Sequence, residues 1–146
     1  MVTHWFATAD DKLARLFSCN SVHAGRRHVD EHDSLENPWL GQHERGRPSA
    51  LGRGPTRNAA QHFASVGHGS EEERRRFAHD VASWLRQVAA DRKLGRICIF
   101  AAPRMLGELR NEIGPDGGIF SLHEAELTHL APEELAEHPG VVEALV

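Results

Sequence analysis

The sequence predicts an α/β fold in three layers, with a mixed sheet between helices, and three consecutive stretches carry that prediction. Phe77, Val81, Trp84, Leu85 and Val88 recur at helical spacing and fall on one helix face. Ile97 to Ala102 follows as an uncharged apolar run, which reads as a central strand covered on both sides. Pro103 then suits the first position of a second helix, with Leu106, Leu109 and Ile113 as its inward row. Helix, buried strand and helix in succession build a sheet with helical cover.

Thr3 to Ala9 is rich in strand formers, Asp10-Asp11-Lys12 makes a turn, and Leu13, Leu16 and Phe17 mark a second strand, so the chain opens as a hairpin. Ser18 to Arg26 reads as a polar turn, and Arg27 to His32 as an edge strand whose charges discourage unwanted pairing. From Ser34 to Gly69 no apolar period survives. Pro38, Pro48 and Pro55, with glycines throughout, predict a long irregular insertion, in which Asn58 to Val66 can still form a short helix through Ala59, Ala60, Phe63 and Ala64. Ser70 with Glu73 forms a capping-box pattern, so the first long helix is expected to start there and to stop at Leu94-Gly95, with Gly95 in the left-handed conformation. Gly114 to Gly118 is a turn, and Ile119 to Leu122 a further strand. Pro132 opens a terminal helix that Pro139-Gly140 ends or interrupts. The order β-β-β-loop-α-β-α-β-α resembles the ribonuclease-H-like arrangement, as a single domain over 1–146 with an insertion at 34–69.

Composition narrows the classes of function. A hydrophobic fraction of 40% and a mean hydropathy of -0.48 fit a soluble protein, and no apolar run reaches membrane-spanning length. The start, Met1 to Phe6, lacks a basic region and a cleavage site, which predicts a cytoplasmic protein in which Cys19 and Cys98 stay reduced. The net charge of -4 is unevenly spread. Between Pro38 and Gly69, Arg45, Arg47, Arg53 and Arg57 oppose only Glu44, giving +3 and leaving -7 for the rest. A basic segment on an acidic body is a localised field, and arginine forks onto phosphate oxygens. These four arginines, with Gln42 in Leu40-Gly41-Gln42, are the candidate RNA- or partner-binding residues.

Other chemistry is incomplete in the sequence. Arg74, Arg75 and Arg76 follow Glu71, Glu72 and Glu73 at pairing distance and read as a solvated helix face. The histidines show no metal-ligand spacing, so no metal and no cofactor are expected. Asp10 ends the first strand where a two-metal nuclease would place a carboxylate, yet the central strand supplies no second one. Ser70 lacks a nucleophile elbow, and Cys98 sits in an apolar run that would raise its thiol pKa. Thr128 and His129 follow the last strand, where polar groups satisfy loop backbone, with a functional contact from His129 as the lesser reading.

The segments Ala9 to Phe17, Phe77 to Leu85, Ile97 to Gly107 and Glu126 to Leu130 together resemble the host-attachment protein family, bacterial chains described as required for attachment to host cells. Glu126 stands where that family usually has Asp, and Ala125 where it has Lys. The same block is more distantly similar to the middle domain of archaeal and eukaryotic peptide-chain release factors, but neither Leu40-Gly41-Gln42 nor Gly52-Arg53-Gly54-Pro55 is the Gly-Gly-Gln of that domain. The resemblance implies a non-enzymatic factor associated with RNA or the ribosome. The alternative is a protein-interaction factor promoting attachment to host cells, and the third reading is a hydrolase or nuclease with an unrecognised site.

Overall fold

The structure, a computed structural model, describes residues 3–21, 26–39, 59–114 and 118–145, with the backbone alone for 59–70. Strands β1 (Thr3–Ala9), β2 (Leu13–Ser21) and β3 (Arg27–Glu36) are followed by the long helix α1 (Ala59–Arg92), then β4 (Ile97–Ala101), α2 (Pro103–Ile113), β5 (Phe120–Glu124), α3 (Pro132–Glu137) and α4 (Pro139–Leu145). The five strands form one sheet in the order β3-β2-β1-β4-β5. Pairing is antiparallel among β1, β2 and β3, and parallel from β1 to β4 and from β4 to β5. This is the mixed sheet of the ribonuclease-H-like arrangement.

Alternation along the strands sorts the core into two layers. Ala7, Ala9, Leu16, Ile97 and Ile99 face one way and pack with Phe77, Val81 and Leu85 of α1 and Met105, Leu106 and Leu109 of α2. Phe6, Phe17, Cys19, Cys98 and Phe100 face the other way, against Leu127, Leu135, Val141 and Leu145. The central strand β4 is buried throughout, as an apolar run without alternation requires. Trp84, partly buried, packs on the first layer beside Leu85.

Several expectations change at element boundaries. β2 runs to Ser21 because Cys19 is buried in the second layer, so the segment after Phe17 is not yet a turn. Strand β3 extends through Ser34 to Glu36, shortening the insertion at one end, and residues 59–69 are helical at the other. Ser70 therefore lies inside α1 and does not cap it. The Ser-x-x-Glu pattern is a local signal compatible with a helix interior, and the helix accepts Gly67 and Gly69 at about 1 kcal/mol each relative to Ala. At the other end α1 stops at Arg92, and Lys93 rather than Gly95 takes the left-handed conformation, with φ of 57°. Leu94 N bonds to Ala89 O at 2.9 Å and Lys93 N to Ala90 O at 3.4 Å, the paired closure of a helix C-terminus. The last strand is displaced by a residue or two from Ile119–Leu122, and the terminal helix divides at Pro139.

Candidate functional site

The turn between β1 and β2 collects chain segments that are remote in sequence. Asp10 Oδ1 accepts from the backbone amides of Lys12 and Leu13, both at 2.8 Å, which closes the hairpin. Its other oxygen accepts from the hydroxyl of Thr128, 118 residues away. Asp11 pairs with Arg74 at 3.0 Å, while the Asp11 carbonyl accepts from the Asn37 side chain and the Lys12 carbonyl from the Asn37 amide. Trp39 continues the same attachment: its indole donates to Asp80 at 2.8 Å and its ring lies under the Arg76 guanidinium. The chain thus leaves the described residues at Trp39 from a point fixed to both the hairpin and α1.

Arg15 extends this network on the α3 side of the sheet. Its guanidinium binds both carboxylate oxygens of Glu31 at 2.9 Å and donates to the carbonyls of Thr128 and Leu130. The hydrogen bond from Arg15 lowers the Glu31 carboxyl pKa, against an opposing effect of burial, and Glu31 in turn raises that of Arg15. A β-bulge makes the pairing possible. Phe17 opposes Glu31 but Ala14 opposes Leu35, so three steps along β2 match four along β3. Glu31 consequently meets Arg15, while Leu35 packs on the α1 layer.

Beside the turn lies a cleft of about 400 Å³ lined by Asp10, Asp11, Lys12, Ala102, Pro103, Arg104 and Glu126. It opens at the carboxyl ends of β1 and β4, the end at which parallel α/β sheets bind ligands. Ala102 supplies no side-chain cap to α2, and since Pro103 has no N–H, the first-turn amides left without a side-chain cap are those of Arg104 and Met105. Lys12 and Arg104 add positive charge and Asp10, Asp11 and Glu126 negative charge, although Asp10 and Asp11 are already engaged. This chemistry suits noncovalent recognition of a polar group. Among the described residues no group of three His, Cys, Asp or Glu side chains is placed to hold a metal ion.

Of the residues singled out in the sequence, Asp10 and Thr128 are brought together, and their bond is a structural clasp. His129 is exposed and makes no hydrogen bond among the described residues. Gln42, Arg45, Arg47, Arg53 and Arg57 lie outside the described residues. Arg75 and Arg76 pair with Glu72 as expected, but Arg74 corrects the reading of a wholly solvated face, since it is buried against Asp11. Its position three residues before Phe77 and seven before Val81 placed it on the core-facing row, a signal available in the sequence. Both cysteines are free and buried, and burial raises each thiol pKa.

Comparison with known proteins bears on these segments. No curated protein matches the chain. A solved structure, the Ppx/GppA phosphatase of Aquifex aeolicus in its type II variant, aligns with 85% of this chain at 11% identity and a TM-score of 0.37. The chain spans 36% of that protein. The family profile described as "Protein required for attachment to host cells" matches residues 5–138. That match takes in the hairpin with Asp10, the α1 row, the central strand and the Thr128 loop, and the chain belongs to the host-attachment family.

Proposed function

We propose that this member of the host-attachment family acts by binding rather than by catalysing a reaction, and that its partner is RNA or the ribosome, met in the cytoplasm. Arg45, Arg47, Arg53 and Arg57, with Gln42, are the contacts. The observation that carries this reading is the rooting of a +3 segment on a body of -7: Asn37 and Trp39 fasten one flank of the segment to the hairpin and α1, and the other flank enters α1 at Ala59. Guanidinium groups are always charged and fork onto phosphate oxygens. The likeness to release factors rests on sequence motifs alone and, without Gly-Gly-Gln, supports no peptide release.

Changing Arg45, Arg47, Arg53 and Arg57 together to Gln is expected to weaken RNA or ribosome recovery after crosslinking in native lysate. It should also flatten the salt dependence of binding, because each lost phosphate contact removes about 0.7 from the log-log slope on a single strand. Equal recovery with an equal slope would exclude this segment from recognition. The family description favours a second reading, a protein-interaction factor that promotes attachment to host cells. Crosslinking that recovers protein and no RNA, with the chain fractionating to the cell surface, would establish that reading instead.

A further inference from the structure

The opposite end of α1 carries a basic surface that the preceding reading does not use. Arg92, Lys93 and Arg96 are exposed and lie within a few residues of one another, around the turn that joins α1 to β4. Arg15, Arg74, Arg75 and Arg76 all pair with carboxylates, but Arg92, Lys93 and Arg96 make no ion pair among the described residues. Asp91, the adjacent acid, accepts from Gln87 at 2.9 Å. A hollow of about 320 Å³ opens here, with Thr3, His4, Trp5, Lys93 and Arg96 on its wall and no carboxylate among its described lining. The Arg92 guanidinium lies over the Trp5 ring, 4.8 Å from its centroid.

Cations are favoured at any helix C-terminus, where they meet the negative end of the dipole. That effect accounts for positive charge but not for its form. Lys93 occupies the left-handed position at which glycine is unstrained. An arginine ordered on an aromatic face is a surface on which a nucleobase can stack, while neighbouring Lys and Arg hold the flanking phosphates.

We propose that Arg92, Lys93, Arg96 and Trp5, with His4 at the rim, form a second contact site for single-stranded RNA. The proposal rests on the RNA reading above and adds a surface to it. From Arg76, beside the root of the basic segment, to Arg92 is about 24 Å along the helix, so one strand can engage both regions.

The test is fluorescence anisotropy of a labelled, mixed-sequence single-stranded RNA titrated with the full chain at several salt concentrations. Changing Arg92, Lys93 and Arg96 together to Gln should weaken binding about tenfold or more and make the log-log salt slope shallower by about 2, at roughly 0.7 per phosphate contact. Lys93→Gly should raise the thermal midpoint while weakening binding several-fold, which separates a recognition role from a purely structural one. Unchanged affinity and slope in the triple variant would overturn the proposal, as would heparin competing as effectively as RNA at equal charge. The four-arginine variant keeps the two readings apart. If it alone loses binding, this surface is not a site and the segment is; if the triple variant alone loses binding, the reverse holds. Absence of RNA binding by the unaltered chain would overturn both.

Discussion

Thr8 is fully buried, yet its hydroxyl oxygen has no hydrogen-bond partner among the described residues. An unsatisfied buried polar group carries its desolvation penalty without return. Thr8→Val is therefore expected to be neutral or to stabilise by up to about 1 kcal/mol, measured from the denaturant midpoint. A loss exceeding that amount would mean the hydroxyl is satisfied in solution. His123 presents the titrating counterpart. It stacks on Phe100 and lies near Ser121, and burial, followed by the nearby Arg96 charge, lowers its pKa from the ordinary 6.5. The unfolded chain then binds the proton more readily than the native one, so stability contributed by neutral His123 is complete above the ordinary imidazole range. It is lost as pH falls through that range toward the lowered native value. His123→Gln should flatten this part of the stability profile, and an NMR titration midpoint at or above 6.5 would contradict the shift.

At the scale of elements, α1 organises one side of the molecule through a single row. Leu85 is fully buried between α1 and the sheet, and Leu85→Ala should cost about 2 to 5 kcal/mol in chemical denaturation. A change below about half a kcal/mol would place that row in solvent. Strand β3 illustrates a different constraint. Its period-2 pattern is broken by one inserted residue at the bulge, without which Glu31 and Leu35, four residues apart, would share a face. The bulge gives Arg15 its carboxylate and the α1 layer its leucine. His32 also benefits, reaching Ser18 at 2.7 Å and lying tilted beside the Trp5 ring, 4.6 Å between centroids.

For the whole molecule, the separation of charge makes a prediction about stability as well as binding. The four-arginine variant changes the net charge from -4 to -8, the loss of four positive charges. If these arginines serve a partner, its thermal midpoint should stay within a degree or two of the parent, as surface substitutions usually do within about 0.5 kcal/mol. A large fall would mean that the segment is held by the acidic body and is structural. Among the described residues no helix is long and apolar enough to cross a membrane.

Elements whose signals are local and periodic could be read directly from the residues. Ile97 to Ala101 had to be covered on both faces, Pro103 had to open a helix, and Phe77, Val81 and Leu85 had to share a side, because burial imposes those periods wherever the element sits. Arg74 lies on that same row, but the neighbouring glutamates and arginines pointed to a solvated face, and its pairing with Asp11 showed only in the structure. Tertiary structure alone decided what joins remote stretches: Asp10 to Thr128, Arg15 to the carbonyls of Thr128 and Leu130, and Trp39 to Asp80. It also decided that α1 runs through Ser70 and stops at Arg92 with Lys93 left-handed, where local capping signals pointed elsewhere. A hydrogen bond between side chains far apart in the chain leaves no period in either neighbourhood. Its partners become neighbours only once the sheet has set its strand order and register.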